Sequence, residues 1–489
     1  MVRGRHPAET VMEQESLIWL LGAAALVVQV LGFATAVHAV MSARTAQGAI
    51  AWSIALASVP ILALPLYWVF GRNRFEGYVQ ARRGKVPDLA GLADSLRRGT
   101  AGSCTMEVGF GPEDTVYERL AAMPFTRGND VTLLIDGPAT FEAMFEAIAA
   151  ARSYILVQFY TVVDDRLGME LQRRLIERAQ AGVRVFLLYD EIGSIELSRG
   201  YLDTLRGAGV SVASFETTRW PTNRFQINFR NHRKILVVDG EVCFIGGHNV
   251  SDDYMGRNPR RGRWRDTHVR IAGPAAIEAQ VVFAEDWYWA TGTVPVLDWT
   301  APPAAQADRA VLILPHGPSD EVESCGLFFT QAINSARHRL WIASPYFVPD
   351  ARIVSALQLA AMRGVDVRIV LPARPDFFLV HLAAFAFIPQ AEQVGIRFYR
   401  YQAGFMHHKV LLVDDRLAAV GTANLDNRSF RLNFEVTALV GDAGFAHEVE
   451  AMLERDFADC CLQTASDYED RPAWFRVAVR IANLLSPIL

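Results

Sequence analysis

Lysine is almost missing from this chain. Three lysines, Lys85, Lys234 and Lys409, stand against 45 arginines. A sequence that writes arginine nearly everywhere keeps lysine where a compact ammonium works and a wide planar guanidinium does not. Cysteine is scarce as well. Cys104, Cys243, Cys325, Cys460 and Cys461 contain no CxxC pair and are odd in number. That argues against a disulfide framework and a structural zinc site, and suits a reducing compartment. An excess of positive charge is also lacking. The net charge is -5 and the pI is near 6.2, which argues against a general nucleic-acid binder. What the chain does have is apolar bulk, 51% of residues against 21% charged, so it folds rather than staying disordered. Its 489 residues exceed one ordinary domain.

The apolar excess is local. Leu17 to Val40 and Ala49 to Phe70 carry no Asp, Glu, Lys or Arg, and each is long enough to cross a bilayer as a helix, which takes about 20 residues. Pro60 and Pro65 lie in the second stretch, where membrane helices tolerate proline if neighbours satisfy the freed carbonyls. Only Arg44 charges the loop between them, so the expectation is a transmembrane hairpin. Acidic Glu9, Glu13 and Glu15 ahead of the first stretch argue against a signal peptide. Arg72, Arg74, Arg82, Arg83 and Lys85 follow the second stretch, and Arg3 and Arg5 precede the first. The positive-inside rule then places both termini in the cytoplasm. The expected divisions are a cytoplasmic segment 1–16, a hairpin 17–72 with spans 17–40 and 49–70, a linker 73–104, a first lobe 105–300, a linker 301–308 (Pro- and Ala-rich) and a second lobe 309–489.

The two lobes are repeats. Helix patterns at Phe141–Ala151 and Met169–Ala181 alternate with apolar strands at Tyr154–Tyr160 and Val183–Tyr189. Leu327–Ala336, Leu340–Ser344, Ile353–Met362 and Val365–Leu371 repeat the order. Buried strands alternating with helices predict an α/β fold, each lobe a mixed sheet flanked by helices. The repeat sharpens at His232, Lys234, Asp239, Gly246 and Asn249, which recur as His407, Lys409, Asp414, Gly421 and Asn424, each offset by 175 residues. Two of the three lysines fall in this motif.

Ile235–Val238 and Val410–Val413 read as strands, so each His and its Lys, two residues apart, share a face. Two such hairpins facing each other gather two His, two Lys and two Asn. That set suits a tetrahedral anion. The lysines and amides neutralise non-bridging oxygens, one imidazole attacks, and the other protonates the leaving oxygen. Symmetry leaves open which is which. Asp266 and Glu435, downstream of each motif, are candidates for orienting the histidines. Asp239 and Asp414 complete the motif and are kept among the catalytic candidates, although a turn-forming role is favoured. A zinc site from His232, His407 and His408 is disfavoured by the two neighbouring lysines, and no metal or cofactor is expected. Phe377–Phe387 is too short to span a membrane; it reads as a buried helix, with an acyl-chain or membrane-dipping surface as the alternative. Arg219–Phe229, mixing Trp, Phe and Arg, suits a lipid interface or a structural loop equally.

The duplicated HxKxxxxDxxxxxxGxxN resembles the phospholipase D superfamily. The hairpin, the FGRNR run at Phe70–Arg74 and the tail Leu484–Leu489 narrow the likeness to bacterial cardiolipin synthases. The resemblance implies duplicated phospholipase D-like lobes with the site between them and a metal-independent, two-step exchange through a phosphohistidine. It implies His232 as nucleophile, His407 as acid then base, and Lys234, Lys409, Asn249 and Asn424 as phosphate ligands. The family's hydroxyl contact is represented by Gly421-Thr422 in the second motif, whereas the first has Gly246-Gly247. The implied reaction joins two phosphatidylglycerol molecules into cardiolipin and glycerol at the bacterial inner membrane, with membrane lipid as partner and catalytic lobes on the cytoplasmic side. The alternative is a hydrolytic phospholipase D; a nucleic-acid phosphodiesterase fits the charge less well.

Overall fold

A computed structural model describes residues 7–43, 45–72, 75, 78, 114–217, 228–259, 261–300, 302–304 and 307–489. The expected 73–104 linker (apart from Phe75 and Tyr78) and most of Arg219–Phe229 lie outside the described residues. The N-terminal unit is helical. Pro7–Ser42 is one helix, and within it Ser16–Ser42 is long and apolar enough to cross a membrane. The second apolar stretch is not the single helix expected. It breaks at Val59 (φ -138°, ψ 61°) into helices Ala46–Ser58 and Pro60–Leu66, followed by a π-helical turn Tyr67–Gly71. Proline disfavours the helical region for the residue before it, and here the chain yields at that residue. The pieces pack back on the first helix. Gln29 Nε2 donates to the Ala57 carbonyl (2.9 Å), and His38 Nδ1 lies 2.8 Å from the Tyr67 hydroxyl.

The catalytic unit carries the duplication. The first lobe contains β1 Thr126–Ile135, β2 Tyr154–Phe159, β3 Arg184–Asp190, β4 Ser211–Phe215, β5 Ile235–Val238, β6 Val242–Gly246 and β7 Thr267–Ala272. The second contains β8 Arg309–His316, β9 Arg339–Ala343, β10 Asp366–Pro372, β11 Arg397–Tyr401, β12 Val410–Val413, β13 Leu417–Gly421, β14 Asn433–Gly441 and β15 Cys460–Gln463. The strand order is β1-β7-β6-β5-β2-β3-β4 in one lobe and β8-β14-β13-β12-β9-β10-β11-β15 in the other. Apart from the added β15 the orders are the same. In each, two strands run parallel to the central one, β3 and β4 beyond β2 and β10 and β11 beyond β9; the other neighbours are antiparallel, β5–β6 and β12–β13 as tight hairpins. β1 and β8 pair antiparallel, Thr126 opposite Val311, so one sheet runs through both lobes.

Local chemistry repeats as well. Asp165 and Asp350 cap equivalent helices, Arg166–Gln180 and Ala351–Met362, by accepting from Gly168 N (3.0 Å) and Ile353 N (3.1 Å), as N-caps do. Gly182 (φ +88°) and Gly364 (φ +87°) end them in the left-handed conformation, where a Cβ is unfavourable. Phe378–Ala384 is a short helix and not the fully buried one expected: Leu382–Phe385 are buried, but Phe377, Phe378 and Leu379 are exposed.

Candidate active site

Each histidine is placed by a short ladder between lobes. Arg230–Asn231 pairs parallel with Asn433–Phe434, and His232 N donates to the Phe434 carbonyl (2.9 Å). Phe405–Met406 pairs parallel with Trp264–Arg265, and His407 N donates to the Arg265 carbonyl (2.8 Å). Each histidine thereby lies beside the acid that follows the opposite lobe's ladder. His232 Nδ1 is 2.8 Å from Glu435 Oε2, and His407 Nδ1 is 2.8 Å from Asp266 Oδ2. The pairing is crossed: each lobe's histidine leans on the other lobe's carboxylate.

The carboxylates are held as acceptors. Glu435 also accepts from Thr422 Oγ1 (2.6 Å), Ser429 Oγ (2.9 Å) and Asn433 Nδ2 (3.1 Å). Asp266 also accepts from its neighbour Thr267 N (2.8 Å) and from Trp264 Nε1 (3.3 Å). Burial pushes the Glu435 carboxyl up, but His232, Lys234 and Thr422 outweigh it and leave it at about 2. Burial likewise opposes ionisation of Asp266, and the cations and hydrogen bonds around it win. Both are carboxylates at neutral pH, so each fixes its imidazole with a proton on Nδ1 and a lone pair on Nε2.

Burial is also the main influence on the histidines. It lowers His232 to about 4, against the opposing pull of Glu435, and His407 to about 3, helped by Lys409. Lys234 and Lys409 are buried. Their ammonium groups donate to the carbonyls of His232 (2.6 Å) and His407 (2.5 Å) two residues back. Burial pushes Lys234 well down and Lys409 to about 8, with Asp266 and Glu435 opposing. Lys409 Nζ is also 3.1 Å from His407 Nε2, so the charge lies beside that nitrogen. Rings close the walls: Tyr160 edge-on to His232 at 4.9 Å, Trp264 tilted on His407 at 5.2 Å.

Asn249 and Asn424 are buried at the ends of the return strands. Asn249 Nδ2 donates to the Tyr254 hydroxyl (2.6 Å), Asn424 N donates to Ser429 Oγ (3.0 Å), and Asn424 Oδ1 has no hydrogen-bond partner. Tyr254 and Ser429 are themselves offset by 175 residues, a signal that the sequence reading passed over. Asp239 and Asp414 need correction as catalytic candidates. Each sits at the far end of its strand in the left-handed region, φ +55° and +52°, and its carboxylate accepts from three backbone N–H groups. These are Arg152, Ser153 and Tyr154 for Asp239, and Arg337, His338 and Arg339 for Asp414. They clamp turns. His408 turns away from a shared site with His232 and His407, its Nδ1 lying 3.2 Å from Thr267 Oγ1. Among the described residues the one group of three potential metal ligands is Asp415, His447 and Glu450, which includes no site histidine.

Residues missed by sequence reasoning support the site from behind. Arg233 donates to Asp286 (2.8 Å) and to the Glu435 carbonyl (3.0 Å). Asp286 also accepts from Asn231 Nδ2 (2.8 Å), Gln158 Nε2 (2.6 Å) and the Tyr78 hydroxyl (2.9 Å). Between the lobes, Arg265 of the first makes a two-point pair with Asp456 of the second (2.7 and 2.8 Å). These pairs are buried and long-range, with no local motif to announce them.

Two facing HxK hairpins with crossed carboxylates in a duplicated mixed sheet define a phospholipase D-like pair of lobes. The family profile described as cardiolipin synthase, PLD-like domain, matches residues 144–287 and 329–457. A cardiolipin synthase A from Pseudomonas aeruginosa is 49% identical over 473 residues, covering 96% of each chain. One from Pseudomonas putida is 48% identical over 480 residues, covering 96% of this chain and 98% of the relative. The crystal structure of a phosphatidylserine synthase from Haemophilus influenzae aligns with 78% of this chain and 100% of its own, with a TM-score of 0.57 at 14% identity, a likeness of fold. The chain belongs to the cardiolipin synthase family of phospholipase D-like enzymes.

Proposed function

We propose that this enzyme makes cardiolipin from two phosphatidylglycerol molecules by way of a phosphatidyl-histidine. His232 Nε2 attacks phosphorus, and the bond to the head-group glycerol oxygen breaks. That oxygen departs as glycerol with a proton from His407 Nε2. Lys234, Lys409, Asn249 and Asn424 hold the non-bridging oxygens. A head-group hydroxyl of the second phosphatidylglycerol then gives its proton to His407 and attacks phosphorus. The P–N bond breaks, the electron pair returns to His232, and cardiolipin leaves. The proton lent in the first step is recovered in the second, so both atoms and charge balance.

The observation that carries this reading is the crossed pair of 2.8 Å histidine–carboxylate contacts. Each contact leaves an Nε2 lone pair for the proposed phosphate, and the two carboxylates stabilise whichever imidazole becomes charged. His407, pushed down to about 3, takes up its proton when the phosphodiester anion offsets Lys409. No step here calls for a metal. The two apolar stretches ahead of the lobes support a membrane-bound enzyme with two spans, the broken second one included, and with the arginine cluster placing the lobes on the cytoplasmic side. The domain limits expected from sequence remain part of this proposal. The test is the purified chain with labelled phosphatidylglycerol, resolving cardiolipin from phosphatidic acid. Cardiolipin with matching glycerol supports the transferase; phosphatidic acid alone would assign the hydrolase instead.

A further inference from the structure

The last helix is apolar on two opposite faces. Ala473–Leu484 buries Val479 and Ala482 and sets Phe475 edge-on to Phe385 at 5.4 Å, so one face is packed on the second lobe. On the other, Trp474, Val477, Ile481 and Leu484 are 57–78% exposed. Their spacing of three, four and three residues forms a single helical stripe. The helix Phe378–Ala384 packs against it, and there Phe377 and Phe378 are 62% and 65% exposed. Two elements distant in sequence thus add apolar surface to one neighbourhood, which soluble surfaces rarely do without a partner. The stripe is flanked by Arg476 and Arg480, and no acid occurs from Ala473 to Leu489; Asp467, Glu469 and Asp470 precede the helix.

We propose that this stripe, with Phe377 and Phe378, is a membrane-docking face that lies in an anionic lipid surface and acts in addition to the N-terminal apolar helix. Aromatic and aliphatic side chains on one stripe with arginines beside it are the composition of an interfacial helix. Lipid also matches the surroundings better than a second copy of the chain does. A pocket lined by Tyr346, Phe377, Val380, His381 and Arg400 shares Phe377 with this surface. Arg400 is half-buried, its desolvation lowers it to about 10, and its Nη2 has no hydrogen-bond partner. Asp376 on the same rim is engaged by the Tyr346 hydroxyl (2.7 Å). A phospholipid offers acyl chain to the stripe and phosphate to arginine in one molecule, whereas a second copy of the same stripe would set arginine against arginine.

This inference rests on the enzyme being membrane-bound but not on which reaction it runs. The test uses the full chain with its native cysteines changed to serine and one polarity-sensitive dye on Val477→Cys, reconstituted in phosphatidylglycerol vesicles. A control carries the dye on Leu359→Cys, which is also exposed but away from the stripe. Lipid with a doxyl quencher on its acyl chain should quench the first at least threefold and leave the second within about a tenth of its unquenched signal. Arg476→Glu with Arg480→Glu should raise KM for vesicle lipid about tenfold, while kcat in detergent micelles stays within twofold. A dye at 477 that remains wet and unquenched overturns the proposal. So does shielding that grows with protein concentration and ignores the doxyl lipid, which would make the occupant a second copy. Quenching without cardiolipin production would leave docking intact and remove the proposed reaction.

Discussion

Asp266→Asn separates the two chemical steps. Asp266 Oδ1 accepts from Thr267 N and Oδ2 accepts from His407 and Trp264; all three partners are donors. An asparagine has one acceptor atom for these two sides. If its oxygen stays on the backbone N–H, its amide nitrogen faces His407, and the ring must shift its proton to Nε2 to accept at Nδ1. His407 can then no longer take the proton of the incoming alcohol. If the amide turns over, the backbone N–H loses its partner in a buried place, at about 1–3 kcal/mol, and the imidazolium loses a charged hydrogen bond worth about 1.5–3 kcal/mol. The lost charged hydrogen bond alone amounts to about 10–10²-fold in kcat, at tenfold per 1.36 kcal/mol, and the wrong tautomer of the first route to as much as about 10⁴-fold. The assay uses a p-nitrophenyl phosphodiester, whose leaving group needs no proton. Asp266→Asn should show a burst of nitrophenolate, then stall, with label on His232 surviving a basic quench. Glu435→Gln alters the nucleophile's own support and should slow the burst itself. An Asp266→Asn enzyme that turns over at the wild-type rate would refute the reasoning; a burst confined to Glu435→Gln would exchange the roles of the histidines.

Four further outcomes are expected. Lys234→Arg or Lys409→Arg should each lower kcat about 10²-fold, the scale of one lost transition-state contact, whereas Lys85→Arg should be silent in the same assay. The free enzyme needs His232 neutral and Lys409 charged, with pKa values of about 4 and about 8. Because step one also needs His407 protonated, and its pKa is about 3, kcat/KM should fall as pH rises above about 5 and fall more steeply above about 8, and a rise through pH 9 would contradict the lysine's role. Asp414→Ala removes a clamp on three N–H groups and leaves Ala in a left-handed turn. It should cost about 1–3 kcal/mol of stability by denaturant titration with kcat per folded molecule unchanged; a tenfold fall in kcat at unchanged stability would restore a catalytic role. Chelator treatment in micelles should leave activity intact, and recovery by one specific added metal would overturn the metal-free mechanism.

Much of the site could be read from the sequence because duplication wrote it twice. The 175-residue offset located His232, Lys234 and Asn249 together with His407, Lys409 and Asn424, and strand periodicity put each His and Lys on one face. Asp266 and Glu435 were found as histidine partners, but which acid serves which histidine was not. A pseudo-twofold site can be wired within lobes or across them, and the choice lies in two-residue ladders, Arg230–Asn231 on Asn433–Phe434 and Phe405–Met406 on Trp264–Arg265, too short to carry any pattern. β1 and β8 escaped notice because Thr126–Ile135 opens with polar residues, bulges where it meets β8 and pairs far along the chain. The break at Val59 was signalled by Pro60, yet the apolar run alone suggested one continuous helix.

The crossed wiring makes catalysis a property of the assembled pair. A lobe made alone, or an enzyme whose lobes have parted, carries a histidine with nothing to set its tautomer and a carboxylate with nothing to set. Neither fragment can form a phosphatidyl adduct at a useful rate. For an enzyme whose substrates are phospholipids, this is a built-in restraint, since a partial translation product or a proteolytic half cannot become an uncontrolled lipase. It also ties the chemistry to the integrity of one continuous sheet. Whatever loosens the β1–β8 seam silences both steps together, and does not leave the first running without the second.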